Sequence, residues 1–215
     1  ARARRCASKE HAIAVQTLCA LGRHGEAAAL LDRLAAMPAG TAEDDEALGF
    51  AAFAAGAHQL SRDCYARVVD ARPDDPLAWY NLAAGERTIG QLEAAEAACD
   101  QALRLSPGAY EAALLRSVLR TQTVDRNHVE ALQGMLERAP APPAIISLHY
   151  ALGKEYEDLG DYDAAFHHFS CGATVRRQTL SYEVADDVAK LRRSVPADFH
   201  TCTLAMRFGR PPHDD

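Results

Sequence analysis

The stretch Trp79–Gly90, WYNLAAGERTIG, continuing as Gly90–Pro107, GQLEAAEAACDQALRLSP, decides the reading of this chain. It has a near-copy downstream, HYALGKEYEDLG over His149–Gly160, followed by GDYDAAFHHFSCGATV from Gly160. Each copy carries a glycine, then a small residue, then a bulkier or apolar one: Gly90, Ala95 and Cys99 in the first, Gly160, Ala165 and Phe169 in the second. Apolar residues at helical spacing on both sides of a glycine predict two helices joined by a tight turn. Two antiparallel helices approach closely only where a small residue on one meets the other, and Ala83 with Ala95, Gly49 with Ser61, and Gly153 with Ala165 supply such pairs.

The rest of the composition agrees with an all-α protein. Alanine is abundant and β-branched runs are almost absent, and alanine is the best helix former. Of 215 residues, 48% are hydrophobic and 25% charged, which disfavours whole-chain disorder. No apolar run reaches the ~18 residues of a membrane span. The formal net charge of −7, from 23 basic and 30 acidic residues, disfavours nucleic acid as a partner. Cys6, Cys19, Cys64, Cys99, Cys171 and Cys202 form no C-x-x-C pair and read as reduced thiols of a cytoplasmic protein. The start, ARARRCASKE, has no apolar core of a secretory signal and no initiator Met, as expected of a processed chain or a fragment.

The two copies resemble the tetratricopeptide repeat (TPR), a helix-turn-helix unit of ~34 residues with a W-x-x-L-G-x-x-Y signature. Trp79, Leu82, Ala83, Ala95, Cys99, Ala102 and Pro107 take the signature places in the clearest copy; His149, Leu152, Gly153, Tyr156, Gly160, Ala165 and Phe169 take them in the last. A frame of that length gives five units: 8–41, 42–75, 76–109, 112–145 and 146–179. Residues 1–7 are then an N-terminal extension. A fourth unit starting at Tyr110 would put Arg116 and Arg120 in the core. A start at Ala112 instead puts Leu115, Val118, Leu119, Ala131 and Met135 in the apolar slots, with Tyr110 and Glu111 as an insertion between units. Asp75 before Pro76, and Thr41 with Asp44, are helix-start signals; Pro38, Pro73, Pro107 and Pro143 fall at unit ends. The fold expected is a right-handed TPR superhelix, closed by a capping helix over 180–195 with Val184, Val188 and Leu191 inward. Residues 196–215 read as a linker or disordered tail.

Leu148–Leu191 also resembles the end of the repeat region in bacterial TPR-containing sulfotransferases. That resemblance implies a repeat half that positions substrate or mediates self-association. The chain has no Gly-rich phosphate loop, so no catalytic residue is carried over and no enzyme activity is expected of it. A stand-alone adaptor, or the repeat region of another enzyme such as a glycosyltransferase or oxygenase, are the alternatives.

In TPR units the first helix lines a concave groove. The inward positions place Phe50 and Phe53 there in unit two, Tyr80 and Arg87 with the adjacent Asn81 in unit three, Arg116 and Arg120 in unit four, and Lys154 in unit five. Arg87, Arg116, Arg120 and Lys154 are thus expected to form one basic wall fitting an acidic peptide or chain terminus, against the simpler reading of solvated faces with local partners. Phe50, Phe53 and Tyr80 are either anchors for an extended ligand or packing against the next repeat. His149, His167 and His168 do not have metal-site geometry, since adjacent residues on a helix point ~100° apart. No cofactor is expected.

Overall fold

The computed structural model describes residues 2–37, 40–139, 141–181 and 183–194. Among these the chain is helix and turn, with one isolated bridge pairing Thr123 with Arg126. It divides into two compact units, Ala1–Arg177 and Gln178–Asp215. Ten helices succeed one another as hairpins: α1 (Arg2–Ala20) with α2 (His24–Ala35), α3 (Ala42–Ala54) with α4 (His58–Ala71), α5 (Pro76–Thr88) with α6 (Leu92–Leu105), α7 (Tyr110–Ser117) with α8 (Val129–Glu137), and α9 (Pro142–Asp158) with α10 (Tyr162–Thr179). In the second unit α11 (Val184–Ser194) falls within the span expected for a capping helix, but Val184, Val188 and Leu191, expected inward, are 64%, 39% and 62% exposed, so the buried apolar face expected of it is not there. The supposed tail, 196–215, lies outside the described residues, as does Pro38.

Four of the five hairpin turns are built identically. Gly22, Gly56, Gly90 and Gly160 take φ of 72°, 79°, 83° and 78°, the left-handed region open to glycine at little cost. After each glycine, the next backbone N–H reaches back over the helix end: Arg23 to Leu18, Ala57 to Ala52, Gln91 to Glu86 and Asp161 to Tyr156, at 2.8–3.0 Å. This is the Schellman closure, which satisfies carbonyls a helix end otherwise leaves open.

Helix starts are set by local chemistry. Thr41 and Asp44 form a reciprocal capping box, with the Thr41 N–H donating to Asp44 Oδ2 at 2.9 Å and the Asp44 N–H to Thr41 Oγ1 at 3.4 Å. Asp75 Oδ1 accepts from the Leu77 and Ala78 N–H groups, with Pro76 at the first helical position. Small residues set the approach within hairpins. A Cβ on Gly49 would stand 3.1 Å from Cys64 Cβ and from Tyr65, and one on Gly153 would overlap the Phe169 ring.

The core runs within hairpins and on from each hairpin to the next. Ala83, Ala95, Ala98 and Cys99 of α5 and α6 are buried together with Leu115 of α7 and Leu119 beyond it. Trp79 lies half-buried against this cluster and against Tyr65, Val68, Val69, Ala78 and Leu82, and its indole N–H donates to the Pro73 carbonyl at 2.8 Å.

The structure departs from the expected frame in three places. Helix α1 already runs from Arg2, so most of the supposed extension is helical. Helix α7 starts at Tyr110, which continues the unbroken spacing from Pro76 (110 − 76 = 34), not at Ala112. Helix α8 starts 19 residues after α7 (129 − 110), against 16 for α6 after α5 (92 − 76), so the extra length sits instead in the connection between α7 and α8. The fifth hairpin opens at Pro142, so Pro142 and Pro143 begin a helix rather than end one; proline suits a first turn, whose N–H groups have no helical partner. In the fourth unit Val118 and Ala131 are exposed, and Leu132 fills the core slot assigned to Ala131.

Candidate functional site

The four basic residues expected on one wall do not form it. Arg116 Nη1 meets Asp100 at 2.8 Å, and Arg120 Nε meets Glu96 at 3.1 Å. Both carboxylates lie on α6, so this is a two-rung ladder within the α6–α7 packing. Starting α7 at Tyr110 does turn the two arginines inward, as the sequence argument feared. What makes that tolerable is a carboxylate opposite each, since a part-buried guanidinium needs a charge partner. Lys154 pairs with Asp158 one turn along α9. Of the four, Arg87 is exposed and has no ion-pair partner among the described residues.

Arg87 instead lines an open cavity of about 270 Å³ between α5 and α7, with Tyr80, Glu111, Leu114, Leu115 and Val118. Burial pushes the Tyr80 phenol up, Glu111 adds to the rise, and Arg87 opposes it. Tyr80 therefore feels both charged neighbours. Asn81 is half-buried on α5. Phe50 and Phe53 stand apart on α3, 58% and 45% exposed, which rules out tight packing against the next repeat. Phe53 touches His58 edge-on, ring centroids 5.5 Å apart. Leu77, at the start of α5, is 57% exposed.

Sequence reasoning missed Glu111, Leu114 and Val118 as groove residues. The first was assigned to an insertion and the last to the core. The signal available was the unbroken spacing from Pro76 to Tyr110, set aside because of the arginines it turned inward.

The α7–α8 connection is the other feature that sequence reasoning did not find. Its position equivalent to the turn glycines is Val124 (90 + 34), which cannot take the left-handed conformation cheaply. The connection is held by acidic side chains on both neighbours. Glu155 of α9, fully buried, accepts from Ser117 Oγ at 2.7 Å and from the His128 N–H at 2.5 Å, and lies 2.9 Å from His128 Nδ1. Burial alone would raise this carboxyl; the His128 and Ser117 hydrogen bonds outweigh it and hold it below the usual carboxylate range. Asp158 Oδ2 accepts from the Gln122 N–H at 2.8 Å. Glu96 of α6 takes both Arg120 and Arg126. Ser117, His128 and Glu155 are not a nucleophile with its base, because the serine hydroxyl is bonded to the carboxylate and is completely buried.

The two buried thiols are quiet. Burial pushes the Cys64 thiol up to about 11 and Cys99 up to about 12, so neither is a thiolate at neutral pH. His149 Nδ1 and His168 Nδ1 face each other at 3.0 Å, and the Tyr156 ring stacks on His168. Among the described residues no group of three or more His, Cys, Asp or Glu is placed to hold a metal ion, and no helix is long and apolar enough to cross a membrane.

The tetratricopeptide repeat family model matches residues 77–108 and 146–169. No curated protein matches the chain. Among solved structures it is similar to the crystal structure of MamA, at 16% identity and a TM-score of 0.56 over 77% of this chain and 96% of that one. It is similar also to MamA 41-end from Desulfovibrio magneticus RS-1, at 21% identity and a TM-score of 0.56 over 81% and 97%. At these identities the likeness speaks for fold alone. The chain carries tetratricopeptide repeats in an all-α, TPR-like superhelical fold.

Proposed function

We propose that this chain is a non-catalytic scaffold that binds a protein partner through an extended segment laid in the groove of α5 and α7. The observation that carries this reading is the open cavity lined by Tyr80, Arg87, Glu111, Leu114, Leu115 and Val118, which combines apolar surface with two charges, Arg87 and Glu111, that enter no ion pair among the described residues. A cavity of this kind has the makeup of a recognition site: apolar walls and a few polar groups that fix orientation. Exposed Leu77 at the start of the same helix, and Phe50 and Phe53 on α3, add candidate anchors.

The acidic-peptide form of the expectation loses its basis, since three of its four cations are occupied by Asp100, Glu96 and Asp158. The narrower reading, a repeat region attached to a sulfotransferase, rests on the sequence resemblance alone and gains no support from the structural comparisons.

The test is selection of binders from a random peptide library, followed by photo-crosslinking from a benzophenone placed at Leu77 or Val118. Selected peptides should crosslink at those positions, compete with one another, and lose binding in Leu114→Glu. Peptides that crosslink from neither position, and bind Leu114→Glu unchanged, would overturn the reading.

A further inference from the structure

We infer that the α5–α7 groove is dipolar and selects an extended segment carrying a cation, an apolar side chain and a carboxylate, laid from its Glu111 end to its Arg87 end. This rests on the groove reading above and specifies its partner.

The charge argument starts from how the other arginines are used. Arg62, Arg67, Arg72, Arg116, Arg120 and Arg126 each meet a carboxylate at 2.6–3.1 Å. Arg104 donates to Gln101. From α4 to the end of the α7–α8 connection, Arg87 and Arg104 are the arginines that meet no carboxylate among the described residues, and of the two Arg104 has its amide partner. Among the described residues Glu111 enters no ion pair either, although both side chains line one cavity. The two charges do not pair with each other among the described residues and are open to a ligand. The same Tyr80 hydroxyl that Glu111 pushes up and Arg87 pulls down lies within the field of both.

The spacing argument fixes the ligand's pattern. Helix α6 returns the chain, so α5 and α7 run in the same sense. Glu111 is in the first turn of α7, and Arg87 is in the last turn of α5. Tyr80 to Arg87, like Glu111 to Val118, spans about 10 Å at ~1.5 Å per residue. An extended chain advances ~3.3 Å per residue with alternate side chains on one face. Three groove-facing side chains at alternate positions thus cover about 13 Å, and the long Arg87 and Glu111 side chains take up the difference. The central one meets Leu114, Leu115, Val118 and the Tyr80 ring. An all-acidic segment would set one of its carboxylates against Glu111, so the groove discriminates by repulsion as well as attraction.

The experiment uses three labelled heptapeptides, acetyl-GKGLGDG-amide, acetyl-GDGLGDG-amide and acetyl-GKGLGKG-amide, titrated by anisotropy at low salt into the full chain. The mixed peptide should bind about tenfold tighter than either like-charged one, a difference of one exposed charge contact. Arg87→Glu should transfer the preference to the lysine peptide, and Glu111→Lys to the aspartate peptide. Both positions are exposed, so circular dichroism should be unchanged. Because the variants swap preferences rather than merely weaken binding, the result does not depend on peptide direction. If the peptides shift Tyr80 and Leu114 resonances but all three bind alike, or the aspartate peptide is preferred by the wild type, the dipolar inference is overturned and the groove survives. If none perturbs Tyr80 or Leu114, both fall.

Discussion

The third and fourth repeats begin 34 residues apart, at Pro76 and Tyr110, yet they are held together by different physics. In the third, every feature is local. Asp75 caps α5, Gly90 turns the chain at φ 83°, and Ala83 meets Ala95 where the helices cross. In the fourth, no glycine stands at the turn, α7 stops at Ser117, and the connection is fastened from outside by Glu155 and Asp158 of α9 and Glu96 of α6. A repeat can therefore lose its own turn chemistry if its neighbours supply hydrogen-bond acceptors. The cost is dependence on buried carboxylates, which have to stay ionised and fully partnered.

The largest effect that would break this contrast comes from Glu155. Glu155→Ala leaves the Ser117 hydroxyl and the His128 N–H without their acceptor beneath the surface. A loss of about 3–5 kcal/mol is expected, the usual consequence of deleting one member of a buried charged network. Urea unfolding measures the total. Amide exchange locates it, and residues 119–128 should accelerate far more than 77–90. Equal acceleration in both repeats would show that Glu155 is not a local fastener.

Acid should produce the same asymmetry without mutation. The Glu155 carboxyl titrates below its unfolded value, so its contribution is complete above about pH 4.5 and is lost as pH falls through the folded pKa. His149 and His168 act earlier. Burial and the neighbouring imidazoles hold both below the usual histidine value, so the unfolded chain takes up protons first and stability declines as pH drops below about 6.5. The melting temperature should fall in two stages. His149→Phe with His168→Phe should remove the upper stage and leave the lower one. A profile flat from pH 7 to 5 in the parent would contradict the histidine assignment.

How much of this was legible in the sequence follows from the same contrast. Repeat three was readable because its determinants lie within one window: Asp75–Pro76, Gly90, the alanine pair and Pro107. Tyr80 and Arg87 were placed in the groove on that register. Repeat four was misframed because Arg116 and Arg120 looked unfit for a packed face, and nothing nearby on α7 relieves them. Relief comes from Asp100 and Glu96 on the preceding helix. Glu155 was hidden for a related reason: inside the charged run KEYED it reads as solvated surface, and only the approach of Ser117 and His128 buries it. The pairing of Asp45 with Arg67 and of Glu46 with Arg72 was missed likewise, since it joins residues 22 and 26 apart in the chain, beyond any local pattern.

The smallest effects give the sharpest form of the comparison, because they are made at equivalent places. A Cβ on Gly90 would meet no atom within 4 Å, so Gly90→Ala tests backbone strain alone. Holding alanine at φ 83° should cost about 1–2 kcal/mol. Val124 is 82% exposed, and its φ is not positive. Val124→Gly therefore relieves no strain and removes no buried contact; a change within about 0.5 kcal/mol is expected, and a small loss from added freedom in the unfolded chain. If Val124→Gly stabilised the protein by as much as Gly90→Ala weakens it, the fourth connection would be a strained version of the same turn. The two repeats would then differ in degree rather than in how they are built.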